Sequence, residues 1–187
     1  MASRMLLLAC ACAVVAGCGD SRTQPPDLST PATPDGFMHV AYPAAGLRFN
    51  VPRDWRVIPG TPPQVVVLQS GLATIGIWRY PRDGSLPHTR PALTSALHSL
   101  VALVARTDPT FRREGGAVVA VAHHEAIQIR GLETVDGLRR EVRSTHMFVN
   151  RSEVVIDAFA PPAMFTRVDT QVFHPLLRSL RIERVVG

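Results

Sequence analysis

The segment from Phe111 to Ala160 places the tightest limit on what this chain can fold into. It reads as an antiparallel meander with strands at about 117–122, 126–133, 138–149 and 153–160. Asp136-Gly137 is a two-residue turn signal, and Asn150-Arg151 marks the next turn. Turns this short join only antiparallel neighbours. Pro161-Pro162 then stops the last strand, because proline cannot donate to a ladder.

Shorter extended runs precede the meander. Residues 37–42 and 47–51 flank Pro43 to Gly46, and Leu47, Phe49 and Val51 alternate onto one face. Residues 56–58, 65–69 and 74–80 add β-branched strands, with Ser70-Gly71 as the turn between the last two. A helix follows the polar loop 81–88. Thr89 caps it, Pro91 sits in its first turn, and Leu93, Leu97, Leu100 and Val104 form one apolar stripe. Thr107-Asp108-Pro109 ends it. A second stripe, Val168, Val172, Phe173 and Leu176, predicts a late helix that kinks or restarts at Pro175. Residues 180–185 are expected to return as a short final strand. Strand runs with two well-separated helices imply an α+β domain, a single sandwich with a mostly antiparallel sheet and two main helices.

The N-terminus reads as an address. Arg4 precedes the apolar run Met5 to Ala16, which is too short to span a bilayer but fits a signal h-region. Val15-Ala16-Gly17-Cys18 is similar to the lipobox of bacterial lipoproteins. Cleavage before Cys18 would leave its thiol to carry lipid, and acyl chains bury about 0.8 kcal/mol per CH₂. The expected division is therefore a signal peptide at 1–17, a lipidated cysteine and Pro-rich tether at 18–36, and a globular domain at 37–187. The protein would be exported and lipid-anchored on the extracytoplasmic face of the cell membrane. Only Cys10, Cys12 and Cys18 carry thiols, so the domain has neither a disulfide framework nor a Cys-based zinc site.

A family resemblance rests on two stretches. The run Gly46 to Trp55 (GLRFNVPRDW) is similar to the opening of PsbP-like and DcrB-like domains. A central helix, a long meander and a closing helix ending in Leu177 to Ile182 (LRSLRI) also match. Together with the lipobox, the pattern resembles the LpqN-type lipoproteins of bacterial envelopes, over roughly residues 44–183. The resemblance implies an α/β/α sandwich and an accessory or binding role, with no shared catalytic motif to carry over.

Chemistry is sparsely signalled. All 20 basic residues are arginine against 15 acids, for a formal charge of +5. The lack of lysine excludes Schiff-base chemistry and a Walker-type phosphate site. Ser70-Gly71 lacks the context of a nucleophile elbow. His123-His124-Glu125 is the densest set of potential ligands and falls at an expected turn, where His146 from a nearby strand could join it around zinc or copper. A solvated turn and a half-buried, satisfied His146 are the structural alternative. Asp157 and Arg143 on adjacent strands suggest a partly buried ion pair. Arg139, Arg140 and Arg143, with Arg178, Arg181 and Arg184, could meet anionic headgroups, but Glu141, Glu153 and Glu183 interleave with them. Nucleic acid is not an expected partner for an exported chain with 6% aromatic residues. The leading expectation is a non-enzymatic domain that binds an apolar ligand or an envelope protein and needs no cofactor. The alternative is a surface hydrolase or metalloprotein built on His123, His124, Glu125 and His146.

Overall fold

The computed structural model describes residues 28–185. The expected signal peptide, Cys18 and the first part of the expected tether lie outside the described residues.

Two sheets organise the domain. A three-stranded sheet joins β1 (Phe37–Tyr42), β2 (Leu47–Pro52) and the two-residue β10 (Arg181–Ile182), with β2 in the middle. The larger sheet has seven strands in the order β3-β4-β5-β9-β8-β7-β6, every neighbouring pair antiparallel. These are β3 (Arg56–Pro59), β4 (Gln64–Ser70), β5 (Ala73–Pro81), β6 (Arg112–Val121), β7 (His124–Val135), β8 (Leu138–Val149) and β9 (Ser152–Ala160). The meander β6–β9 thus folds back so that β9 docks on β5.

Helix α1 (Arg90–Thr107) connects β5 to β6. The Thr89 side chain accepts from the Ala92 amide at 3.4 Å, and Pro91 occupies the first turn. Leu93 and Leu97 are buried against Phe111, Ile127, Ile129 and Val142 on one face of the sheet. Each such side chain contributes about 1.5–3 kcal/mol on full burial. The opposite face carries the larger core. There Phe49, Phe165, Phe173 and Leu176 meet Ile75, Ile77, Met147 and Ile156.

The second helical region runs through α2 (Pro162–Val168), a π-helical turn (Asp169–Phe173) and α3 (His174–Ser179). The expected disturbance at Pro175 is this wide turn. Proline lacks an amide proton, and its ring crowds the carbonyl four residues back, here that of Gln171 inside the π turn. The single-domain α+β sandwich, with a mostly antiparallel sheet and two main helices, is therefore the observed architecture.

Two local expectations are corrected. The β6–β7 turn falls at Ala122-His123, both at positive φ (49° and 67°), so His124 and Glu125 belong to β7. The turn sits slightly earlier than expected because neither residue is a turn glycine and the sequence signal is weak there. Residues placed in the tether also lie against the domain. The Leu72 amide donates to the Ser29 carbonyl at 2.9 Å, Trp55 Nε1 donates to the Ala32 carbonyl at 3.3 Å, and Arg167 donates to the Pro31 carbonyl at 3.1 Å. Backbone hydrogen-bond partners, which composition does not reveal, hold this segment.

Candidate functional site

At the end of the sandwich where β5 leaves the large sheet, a cleft of about 1290 Å³ opens between the two sheets. One wall is the end of β1 and the 3₁₀ turn Pro43–Ala45. A second is the loop from Pro59 to Val65, closed by Gly60 N donating to Val65 O at 3.0 Å and Gln64 N to Thr61 O at 2.9 Å. The β8–β9 turn (Asn150, Arg151 and Ser152) and Arg184-Val185 complete it. Prolines, alanines, Tyr42 and Val65 make most of the lining apolar.

Arg79 crosses the floor. Its Nε donates to Ser152 Oγ at 3.0 Å, and Nη1 donates to the carbonyls of Glu183, at 3.1 Å, and of Ala45. This one side chain ties the large sheet to the small one. Burial pushes its guanidinium below the usual arginine range. All three acceptors are neutral, and among the described residues no carboxylate pairs with Arg79.

Gly46 makes the seat. Its φ is +56°, and a Cβ there would stand 2.6 Å from Glu183 O and 2.7 Å from Arg79 Nη1. Arg151 and Arg184 also line the cleft, which has no Asp or Glu in its wall. The nearby Glu183 carboxylate is paired with Arg48.

A second polar constellation lies on the α1 side of the large sheet. His146 Nδ1 meets Glu153 Oε1 at 2.8 Å, and Nε2 meets Ser144 Oγ at 2.9 Å. Ser144 Oγ donates to Asp157 Oδ1 at 2.5 Å, and Arg82 Nε donates to Glu153 Oε2 at 3.0 Å. Burial works to raise the Glu153 carboxyl, but the hydrogen bonds from His146 and Arg82 outweigh it and hold the group below its ordinary value. Burial pushes Asp157 up, against the opposing hydrogen bond from Ser144.

The distances match a Ser–His–carboxylate relay, yet acyl transfer also needs donors aimed at the developing oxyanion. Ser144 lies mid-strand in β8, whose backbone is committed to ladders with β7 and β9. The Ser144 hydroxyl is itself bound to a carboxylate. The arrangement fits a structural polar network.

The residues singled out from sequence are dispersed. His123 is exposed in the turn, His124 and Glu125 alternate across β7, and Glu125 pairs with Arg90 at 3.1 Å. His146 sits opposite Ile127. Among the described residues no group of three or more His, Cys, Asp or Glu could hold a metal ion. Arg143 does not pair with Asp157. It reaches Asp169 at 3.0 Å on the other face, because its cross-strand partner is Ala158 and Asp157 stands opposite Ser144. Of the arginines noted, Arg184 alone lines the cleft. The sequence does not single out Arg79 or Ser144, and it presents Arg151 only as a turn residue and Glu153 only as an interleaving acid. Ser144 and Glu153 follow from counting register outward from Asn150-Arg151, whereas the cleft arginines carry no local signal.

No family model matches the chain, and no curated protein matches it. Solved structures do. Cyanobacterial PsbP (CyanoP) from Synechocystis sp. PCC 6803 aligns with a TM-score of 0.60 and 10% identity, over 90% of this chain and 99% of that one. LpqN, involved in cell envelope biogenesis of Mycobacterium tuberculosis, aligns at 0.53 and 18% identity, over 79% and 90%. A protein from Bacteroides thetaiotaomicron VPI-5482 aligns at 0.55 and 9% identity over 78% of this chain and 48% of that one, so this chain spans about half its length. At such identities the likeness is one of fold. The chain has the PsbP-like fold that LpqN shares, as the run Gly46 to Trp55 implied.

Proposed function

We propose that this protein is a membrane-anchored envelope lipoprotein whose domain binds an apolar ligand in the cleft at the Arg79 end and performs no chemistry on it. One observation carries the reading: a cleft of about 1290 Å³, walled by prolines, alanines, Tyr42 and Val65. Ligand sites are concave, mostly apolar and supplied with a few fixed polar groups. The likeness to LpqN, a protein involved in cell envelope biogenesis, supports an accessory role in the envelope. The Val15-Ala16-Gly17-Cys18 motif supports lipid anchoring at Cys18. The segment between Gly19 and Leu28 would then span at most about 33 Å, which keeps the domain near the membrane surface.

Titration of the purified domain with the neutral dye Nile red tests the binding. Saturable 1:1 binding, lost in an Ala44→Trp variant that fills the cleft, is the expected result. No saturable binding, or equal binding by the variant, would overturn the reading. Anchoring has its own readout: a Cys18→Ala chain should leave the membrane fraction of cells expressing it.

A further inference from the structure

We infer that the ligand of this cleft is an amphiphile with an anionic head, a carboxylate or a phosphate, whose charge is met by Arg79, Arg151 and Arg184. The inference rests on the cleft being a ligand site and adds the chemistry of the ligand's polar end.

Three arginines line one cleft with no acid in its wall. An arginine taken partly out of water ordinarily finds a carboxylate partner. Among the described residues Arg79, Arg151 and Arg184 form no ion pair; exposed arginines such as Arg53 and Arg113 also form none, but Arg79 is partly buried and still meets only neutral acceptors. The one acid beside the cleft, Glu183, is held by Arg48. Arg79 is the most constrained of the three. Ser152, Ala45 and Glu183 engage its Nε and Nη1, and Nη2 has no partner among the described residues. The guanidinium is thus fixed in place with Nη2 to spare, a charged donor able to make a single charge-assisted hydrogen bond to a carboxylate or phosphate oxygen. Pre-orientation by neutral carbonyls leaves the positive charge uncancelled for a ligand. The apolar walls formed by Pro43, Ala44, Pro62, Pro63 and Val65 suit a hydrocarbon chain. A cleft of about 1290 Å³ exceeds what a small inorganic anion would use.

Calorimetric titration of the domain with decanoate, decyl phosphate, decanol and inorganic phosphate separates the parts. Both decyl anions should bind at least tenfold tighter than decanol, and the tighter of the two identifies the head. Inorganic phosphate alone should bind at least tenfold more weakly than decyl phosphate. Arg151→Asn, which suits the positive φ of 55° at that turn, combined with Arg184→Gln, should bring the anions to within about threefold of decanol while leaving decanol unchanged. Both positions are exposed, so the variant tests charge without disturbing the tie that Arg79 makes. Decanol binding as tightly as decanoate, with no effect of the double variant, overturns the anionic head and leaves the apolar site standing. Inorganic phosphate matching decyl phosphate overturns the amphiphile. If no decyl compound binds, the cleft is not a ligand site and both readings fall together.

Discussion

Gly46→Ala gives a sharp test of how the cleft is built. Two costs arise at this position. The first is conformational: a non-glycine residue held at φ +56° costs roughly 1–2 kcal/mol. The second is steric. The new Cβ would lie 2.6 Å from Glu183 O and 2.7 Å from Arg79 Nη1, so the guanidinium or the strand must move. Moving either strains the hydrogen bond from Glu183 N to Gly46 O at 2.8 Å and the Nη1 bonds to Ala45 and Glu183. Hydrogen bonds to a charged group contribute about 1.5–3 kcal/mol each. Losing one or two on top of the conformational part gives a total of about 3–8 kcal/mol, a large share of the 5–15 kcal/mol typical of a domain. Gly137→Ala is the control. Gly137 has φ +75° but nothing within 4 Å of an added Cβ, so it should cost only the conformational part, about 1–2 kcal/mol. Urea unfolding followed by circular dichroism measures both. Equal losses in the two variants would refute the claim that Gly46 is required by the seat of Arg79.

The polar network on the other face predicts opposite pH responses from its two carboxylates. Glu153 is held below its ordinary value, so its contribution is present above an unfolded pKa of about 4.3 and is lost as pH falls through the depressed one. Glu153→Gln should therefore cost about 1–3 kcal/mol at pH 7, because the Arg82 left behind is half exposed, and the cost should shrink as pH falls below about 4 in denaturant titrations. Asp157 is pushed up by burial, so the sign reverses: its contribution is present below about pH 3.9 and is lost as pH rises through the raised value. Asp157→Asn should leave stability at pH 3 unchanged and increase it at pH 8; a loss at pH 8 would contradict the assignment. At the β6–β7 turn, Ala122→Asn with His123→Gly supplies residues that favour positive φ at both positions and should stabilise the fold by about 1–2 kcal/mol in thermal melts.

Much of the scaffold was legible because local signals and tertiary packing agree. Thr89, Pro91 and the Leu93–Leu97 stripe define α1 at both the cap and the buried face. Asp136-Gly137 and Asn150-Arg151 adopt positive φ throughout, and those turns fix the β7–β8–β9 register. Carrying that register one step further separates Asp157 from Arg143, since a strand's faces alternate with every residue. The β6–β7 turn was misplaced because Ala122 and His123 pay for positive φ without advertising it. The separate small sheet was hidden because β10 contributes only Arg181 and Ile182 to it. The cleft was hidden for a related reason. Its lining is drawn from segments as distant as Ala41 and Val185, and no local pattern places Arg79, Arg151 and Arg184 around one space.

The most direct measurement of the central claim is a nuclear magnetic resonance titration of the domain with decanoate, following arginine Nε–H and backbone amide signals. Shifts concentrated at Arg79 Nε–H, Arg151, the Pro43–Ala45 turn and the 59–65 loop, saturating at one equivalent, are the predicted result. Shifts absent from these positions, or centred on His146 and Ser144 across the sheet, would contradict it.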